Sequence, residues 1–475
     1  MMAKNVALLF PETGTPVAGS TEGKGVKQRL AIVPPLGLLY LGRELLDAGY
    51  GVEVVDFNAE GYSRERLELI VRNADLVGIS MQSFNRSDAQ TMIADIRALH
   101  GELPIVVGGP DLILYPRAVD GADVSVVSEA ESIIVQIADT LLNGGDPSSC
   151  PGAIYRDRRT GQIRRGPEAP IERDLDRIRF PARSLVRSPE KARRYNILGE
   201  RMGSRITTMI TSRGCPFSCT FCAHGAVTFQ TYRERSAQNV LAEIRTVYRE
   251  GYEILGIVDD NFTVNKRRVH QIMDGIIEEG IDLAMAVQGR VDAVDEELYR
   301  KMRRAGVRAV VFGLESANQT VLDFYNKRTT VEMNRRAVEI ANRVGLYTVG
   351  DFIIGAPFEG TEEIERTFTF AREIPLDFAT FWVLDYAYGS ELWEDARRRG
   401  LIGEDESNVT AGSERGLARF TSGELEQISL RAFERYYRRP QFWLREVRKL
   451  MRVRDRYFFR ILGLASLRLV QGIWD

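Results

Sequence analysis

Short apolar runs alternate with amphipathic stretches along most of the chain, and the alternation falls into two blocks. In the first, from residue 4 to about 145, residues 6–10, 51–56, 76–81 and 105–107 are brief runs rich in Val, Ile and Leu that read as β-strands. Residues 36–48, stopping at Gly49, and residues 88–99 repeat their apolar positions with the helical period. Strands separated by helices of this length predict βαβ units in a parallel, doubly wound sheet, whose ligands sit at the carboxyl ends of the strands. The loops at those ends are residues 11–35, 82–87, 108–115 and 128–132.

The second block begins at Ile206. Strands are expected at 206–210, 254–258, 283–287, 308–312, 348–354 and 378–384, with helices such as 237–249 and 296–305 between them. Six βα units are too few to close an eight-stranded barrel, so an open one is expected, with its site at the C-terminal strand ends. Residues 146–200, rich in Gly, Pro and Arg, read as a linker carrying a small hairpin around Thr160-Gly161. The expected fold class is α/β, with a Rossmann-like domain over 1–145, the linker, a partial (βα)6 TIM-type barrel over 201–400 and a helical extension over 401–475.

Composition narrows the class. The 475 residues carry 64 Lys plus Arg against 66 Asp plus Glu, and 44 % are apolar, which excludes a disulfide scaffold, a collagen and a disordered chain. No apolar run approaches the roughly 18–20 residues of a membrane span. The first ten residues read as a strand rather than a secretory signal, so a reducing cytoplasmic setting is expected. The net charge of −2 hides an asymmetry, because residues 431–475 hold twelve Lys or Arg against four acids, interleaved with aromatic and aliphatic residues. Such a segment suits a membrane interface, and equally a helix packed on the barrel with a solvated basic face.

The chemistry concentrates in four cysteines. Cys215, Cys219 and Cys222 lie within eight residues, directly after the first strand of the second block. Three soft ligands suit iron–sulfur or zinc. Zinc would call for a fourth ligand, for which His224 is the only neighbour. Cys150, in the linker, reads as a free thiol.

The Cys-x-x-x-Cys-x-aromatic-Cys spacing after the first strand of a six-unit βα array resembles the radical S-adenosylmethionine (AdoMet) superfamily. The resemblance implies that Cys215, Cys219 and Cys222 hold a 4Fe-4S cluster whose open iron is chelated by AdoMet. One electron, from an external donor of flavodoxin or ferredoxin type, then yields a 5′-deoxyadenosyl radical. It also implies that Phe221 lies against adenine and that Asp259, Asp260 and Asn261 meet the AdoMet amino group, although these three would equally cap the next helix. Arg290 is placed to meet the AdoMet carboxylate or to pair with Asp292, and Glu315 and Ser316 resemble residues near the ribose. Gly355 and Pro357 belong to a motif whose backbone lies along adenine, with glycine admitting the ligand closely.

The first block placed ahead of such a barrel resembles the cobalamin-binding radical AdoMet subfamily. Its matches are Pro35, Leu36 and Gly37 opening the first helix, Ser80 and Gln82 at a strand end, Gly108 and Gly109 at the next, and Glu129. The Asp-x-His-x-x-Gly motif that supplies an axial histidine in many cobalamin proteins is absent, and Asp111 stands where the family often has His. The family's Gly-Glu-Gly-Glu becomes Ser128-Glu129-Ala130-Glu131, and His100 reads as an exposed helix end. The implied activity is methylation of an unactivated carbon of a hydrophobic or lipid-like small molecule, with cyclisation or oxidation on the same cofactors as the alternative. The non-enzyme rival is a zinc-stabilised protein that binds RNA or membrane; no RNA-binding module is recognisable, so no nucleic acid is expected. No catalytic side chain is assigned.

Overall fold

The structure, a computed structural model, describes residues 4–12, 33–157, 160–186, 195, 205–404 and 406–457. It divides into two compact units. The first contains β1 (Asn5–Phe10), β2 (Gly51–Asp56), β3 (Leu76–Ser80), β4 (Ile105–Gly108), β5 (Val124–Val126), β6 (Ala153–Arg156) and β7 (Ile163–Arg165). They form one sheet in the order β2-β1-β3-β4-β5-β6-β7, parallel from β2 to β5 and antiparallel beyond.

Both faces of the central parallel strands β1, β3, β4 and β5 are covered, which is why those strands are apolar without alternation. Val6 and Leu8 pack with the helices Leu36–Asp47 and Ile134–Leu142, while Ala7 and Leu9 pack with Arg64–Asn73 and Arg86–Leu99. β5, three residues long, is too short to stand out as a pattern.

The stretch read as a linker is more than a tether. Its hairpin, β6–β7, pairs with β5 and covers what would otherwise be an open sheet edge. Further on, Ala182 N–H donates to Leu39 O at 2.9 Å and Arg43 Nε–H to Phe180 O at 3.2 Å, tying residues 180–186 to the first helix. Cys150 is fully buried in this unit, and burial pushes its thiol up. His100 is an exposed helix end, as expected.

The second unit contains β8 (Ile206–Met209), a two-stranded ladder of β9 (Ser212–Arg213) and β10 (Arg233–Glu234), then β11 (Ile254–Ile257), β12 (Ala284–Gly289), β13 (Val307–Glu315), β14 (Tyr347–Ile354) and β15 (Phe378–Val383). The six main strands form one parallel sheet in the order β8-β11-β12-β13-β14-β15. Burial alternates along β14. Phe352 stacks on Phe381 and meets Phe370 of the helix Thr361–Glu373, so that face is the helical one. Asp351, Ile353, Thr380 and Trp382 therefore face the other, concave side.

The helices Ser422–Tyr437 and Pro440–Val453 close the foot of this unit. Tyr437 Oη accepts from Ala379 N–H at 2.9 Å, and buried Lys449 Nζ donates to Leu346 O and to both carboxylate oxygens of buried Asp377 at 2.6 Å each. This part of the basic tail is thus packed rather than free, although Leu444, Val447 and Met451 are 57 %, 45 % and 62 % exposed. Residues 458–475 of the tail and 13–32 of the first strand-end loop lie outside the described residues. Among the described residues, no helix is long and apolar enough to cross a membrane.

Candidate functional site

The ladder β9–β10 pinches residues 214–232 into a loop at the carboxyl end of β8, and this loop carries Cys215, Cys219 and Cys222. Its second half, 222–231, is knitted by local turns such as Gln230 N–H to Gly225 O, whereas the stretch 217–221 is tied to segments distant in sequence. Thr220 N–H donates to Tyr325 O and its hydroxyl to Phe324 O, both at 3.0 Å. Thr220 O accepts from Leu392 N–H at 2.9 Å, and Ser218 O accepts from Asn326 Nδ2 at 2.8 Å. Phe221 meets Tyr325 edge to face at 5.1 Å between ring centroids. The strap 324–328 that provides most of these contacts is bent, with Asn326 and Arg328 at φ +47° and +56°, where a non-glycine residue needs support from its surroundings.

Burial pushes the Cys215 thiol up and that of Cys222 up to about 11. Bare, these two thiols are protonated at neutral pH, so their ionisation and metal binding go together. His224, read as a candidate fourth zinc ligand, instead opens a helical turn and gives Nδ1 to Asp260 at 2.7 Å, a bond that raises its pKa. Among the described residues, no three of His, Cys, Asp and Glu are drawn together as a lone metal ion would require. Three soft sulfurs on one braced loop have the chemistry of iron–sulfur ligands.

The strand ends around the loop divide into inward and outward groups. Asp259, buried, accepts from Thr211 N–H at 2.6 Å, from the Thr211 hydroxyl and from Ser212 Oγ at 2.8 Å. These bonds tie β8 to β11 and remove Asp259 from the set of ligand acceptors. Capping of the next helix is also corrected, because its cap is Asn265, whose side chain accepts from Arg268 N–H at 3.2 Å. Asp260 remains half-buried beside the cysteines, and Asn261 keeps a buried Nδ2 without a partner. Ser316, expected near a ribose, is fully buried in a knot with Asn318 and Thr367.

Glu315, at φ +59°, points its carboxylate at buried Lys327 Nζ, 2.6 Å away. A Cβ on Gly313 would lie 2.4 Å from that carboxylate and 2.9 Å from the ammonium, so the glycine makes room for the pair. Burial opposes the charge on Lys327, but Glu315 and Cys219 together outweigh it and hold the pKa above the ordinary lysine value. Asp351 lies on the same concave face, bonded to Thr380 and pushed up by burial. Beside these groups Val258 is 42 % exposed, and Gln288 is exposed from within a central strand.

Gly355, at φ +100°, answers to more than ligand access, because a Cβ there would lie 2.9 Å from Leu425 Cδ1 on the C-terminal helices. Its N–H and that of Ala356, just before Pro357, donate at 2.9 and 2.8 Å to buried Glu359, whose pKa burial raises to about 7. Sequence reading assigned no role to Lys327, Asp351 or Glu359. Asp351 and Glu359 are signalled only by charge set among the apolar residues of β14 and the turn after it, and Lys327, after a short helix, carries no signal.

In the first unit, Ser80, Gln82, Gly108 and Gly109 gather at the ends of β3 and β4. Gly109 is obligatory, since at φ +125° a Cβ would meet Met81 O at 2.4 Å. Pro35 precedes the first helix, Leu36 is buried, and Gly37 faces open space. Glu129 lies half-buried in the loop after β5. Asp111 is buried and holds Arg117 at 2.6 Å and Arg86 through both oxygens, with Arg86 and Arg117 against the Tyr115 ring. An orphaned donor, buried Asn85 Nδ2, sits beside Gln82. It would be satisfied by a polar group lodged at these strand ends.

Two family models match the chain: the radical SAM superfamily over residues 209–371 and the B12 binding domain over residues 25–138. An uncharacterised methyltransferase of Pyrococcus horikoshii is 29 % identical over 87 % of this chain and 90 % of its own length. An anaerobic magnesium-protoporphyrin IX monomethyl ester cyclase of Rubrivivax gelatinosus is 26 % identical over 73 % of this chain and 63 % of its own. The structure of the radical AdoMet methyltransferase TsrM of Kitasatospora setae, with cobalamin and a [4Fe-4S] cluster bound, shares the fold at TM-score 0.68 and 20 % identity, over 84 % of this chain and 76 % of that one.

Proposed function

The chain belongs to the cobalamin-binding family of radical AdoMet enzymes, with a 4Fe-4S cluster, AdoMet and cobalamin as cofactors, and on that premise we propose that it methylates an unactivated carbon of a hydrophobic small molecule. When bound, these groups supply one-electron cleavage of AdoMet and a methyl carrier; the chain binds, orients and shields them. Cys215, Cys219 and Cys222 ligate the cluster. Phe221 and the backbone at Gly355, Ala356 and Pro357 lie against adenine, with Glu359 holding that backbone from behind. Asp260 and the free Nδ2 of Asn261 face the methionine end, and the Glu315–Lys327 pair faces the ribose.

Cobalamin is framed by Pro35, Leu36, Gly37, Ser80, Gln82, Gly108, Gly109 and Glu129. No cobalt ligand comes from Asp111, whose oxygens are both engaged by arginines. An apolar substrate is supported by exposed Val258, just past the end of β11, and by Ile353 and Trp382 on the open face of the sheet.

The observation that carries this reading is the three-cysteine loop, braced at the carboxyl end of β8, in a chain that also holds the B12 domain. The test is anaerobic reconstitution with iron, sulfide and cobalamin, then AdoMet and a reductant. Both 5′-deoxyadenosine and S-adenosylhomocysteine are expected. Deoxyadenosine alone would favour cyclisation, the activity in the cyclase relative's name, and zinc uptake without AdoMet cleavage would overturn the enzyme reading. Peripheral membrane contact is a further part of the proposal, supported by Leu444, Val447 and Met451 along one exposed helix face. Changing all three to Ser should abolish flotation with anionic liposomes.

A further inference from the structure

Arg290, at the end of β12, is buried, and its bonding can be followed group by group. A guanidinium has five N–H donors. Nε donates to Asp292 Oδ1 at 3.1 Å, and Nη2 donates to Asp292 Oδ2 at 3.0 Å and to Lys327 O at 2.7 Å. Nη1 points to Cys219 Sγ at 3.8 Å. The flat face of the group lies over Phe217, a residue of the cysteine loop, 3.7 Å from the ring centroid. The two-point grip that would suit an AdoMet carboxylate is thus already closed on Asp292, while the remaining edge and one face are turned to the cysteine loop.

Resting on the radical AdoMet reading, we propose that Arg290 is a positioning residue for the cluster, not a ligand of AdoMet: it donates a charge-assisted hydrogen bond to the Cys219 thiolate and holds the cluster's reduction potential up. Hydrogen bonds to cluster sulfurs and nearby charge are the protein's means of setting that potential. A donor cation beside a thiolate favours the form carrying one more electron. Asp292, Lys327 O and Phe217 fix the guanidinium in three directions, so the interaction is built in before any ligand arrives. Lys would keep the charge but has neither the planar fork nor the stacking face.

The test uses full-length protein, anaerobically reconstituted, as wild type, Arg290→Gln and Arg290→Lys. Iron and sulfide are counted, the cluster is titrated potentiometrically by EPR without AdoMet, and AdoMet binding is measured by calorimetry. In Arg290→Gln at the wild-type midpoint, the reduced-to-oxidised ratio is expected to fall about tenfold, equivalent to 59 mV for a one-electron couple. AdoMet affinity should change little, and Arg290→Lys should lie between. A filled cluster at unchanged potential, or a loss of AdoMet affinity without a change in potential, overturns the proposal. Should Arg290→Gln fail to assemble a cluster, Arg290→Lys decides, because the proposal requires its potential to lie below that of wild type. A wild-type protein that takes up no cluster would instead overturn the enzyme reading itself.

Discussion

Both units present loops at the carboxyl ends of a parallel sheet, yet they stabilise those loops differently. In the barrel the cysteine loop is held by Tyr325, Phe324, Asn326, Leu392 and Arg290, all from segments at least 70 residues along the chain. In the first unit the corresponding groups are held within a few tens of residues: Gln82 by Asn85, Gly109 against Met81, and Asp111 by Arg86 and Arg117. On the proposed reading, the stretch that places three thiolates on one centre is preorganised by tertiary contacts, while the groups proposed to frame cobalamin are held by nearer neighbours.

The sharpest way to break this comparison is to remove a thiolate. Cys219→Ala should lose cluster iron and all AdoMet-dependent 5′-deoxyadenosine while retaining cobalamin uptake; loss of both would mean that the two sites are not independent. Next comes Glu359→Ala, which leaves the buried N–H groups of Gly355 and Ala356 without an acceptor and should cost about 2–3 kcal/mol in denaturant unfolding, together with AdoMet affinity. Asp111→Ala should cost less, about 1–2 kcal/mol, because Arg86 and Arg117 can turn to water, and cluster iron should stay at the wild-type level.

The smallest effect is a pH slope present in both units. Burial raises Asp56 and Glu359 to about 7 from ordinary values of 3.8 and 4.5. Each carboxyl therefore keeps a proton in the folded protein that the unfolded chain has already released. Their contribution to stability is greatest below the ordinary values and is lost as pH rises towards about 7. Asp56→Asn and Glu359→Gln should each flatten the unfolding free energy across that window; slopes identical to wild type would show that the carboxyls are ionised throughout.

The strands were readable because their apolar runs obey simple rules, and the cysteines because the chemistry restricts the residue type. Other features were not. The role of hairpin β6–β7 in the sheet depends on an edge that exists only after folding. The inward turn of Asp259 depends on Thr211 and Ser212, residues of another strand end. Arg290 offered two partners in sequence, Asp292 and AdoMet, and the third, Cys219, comes from the fold alone. Lys327 gave no signal, since a lysine after a short helix normally means solvent; only the space above Gly313 shows that it is buried.

The contact between Lys449 and Asp377 bears on how the gene tolerates change. A premature stop before codon 449 would remove the buried cation that joins Asp377 to Leu346 O, at a cost of about 3–5 kcal/mol, a large share of the roughly 5–15 kcal/mol that holds a domain together. Nonsense alleles upstream of codon 449 should then produce protein that cellular proteases clear, and such a null phenotype would reflect misfolding rather than a missing membrane or substrate contact.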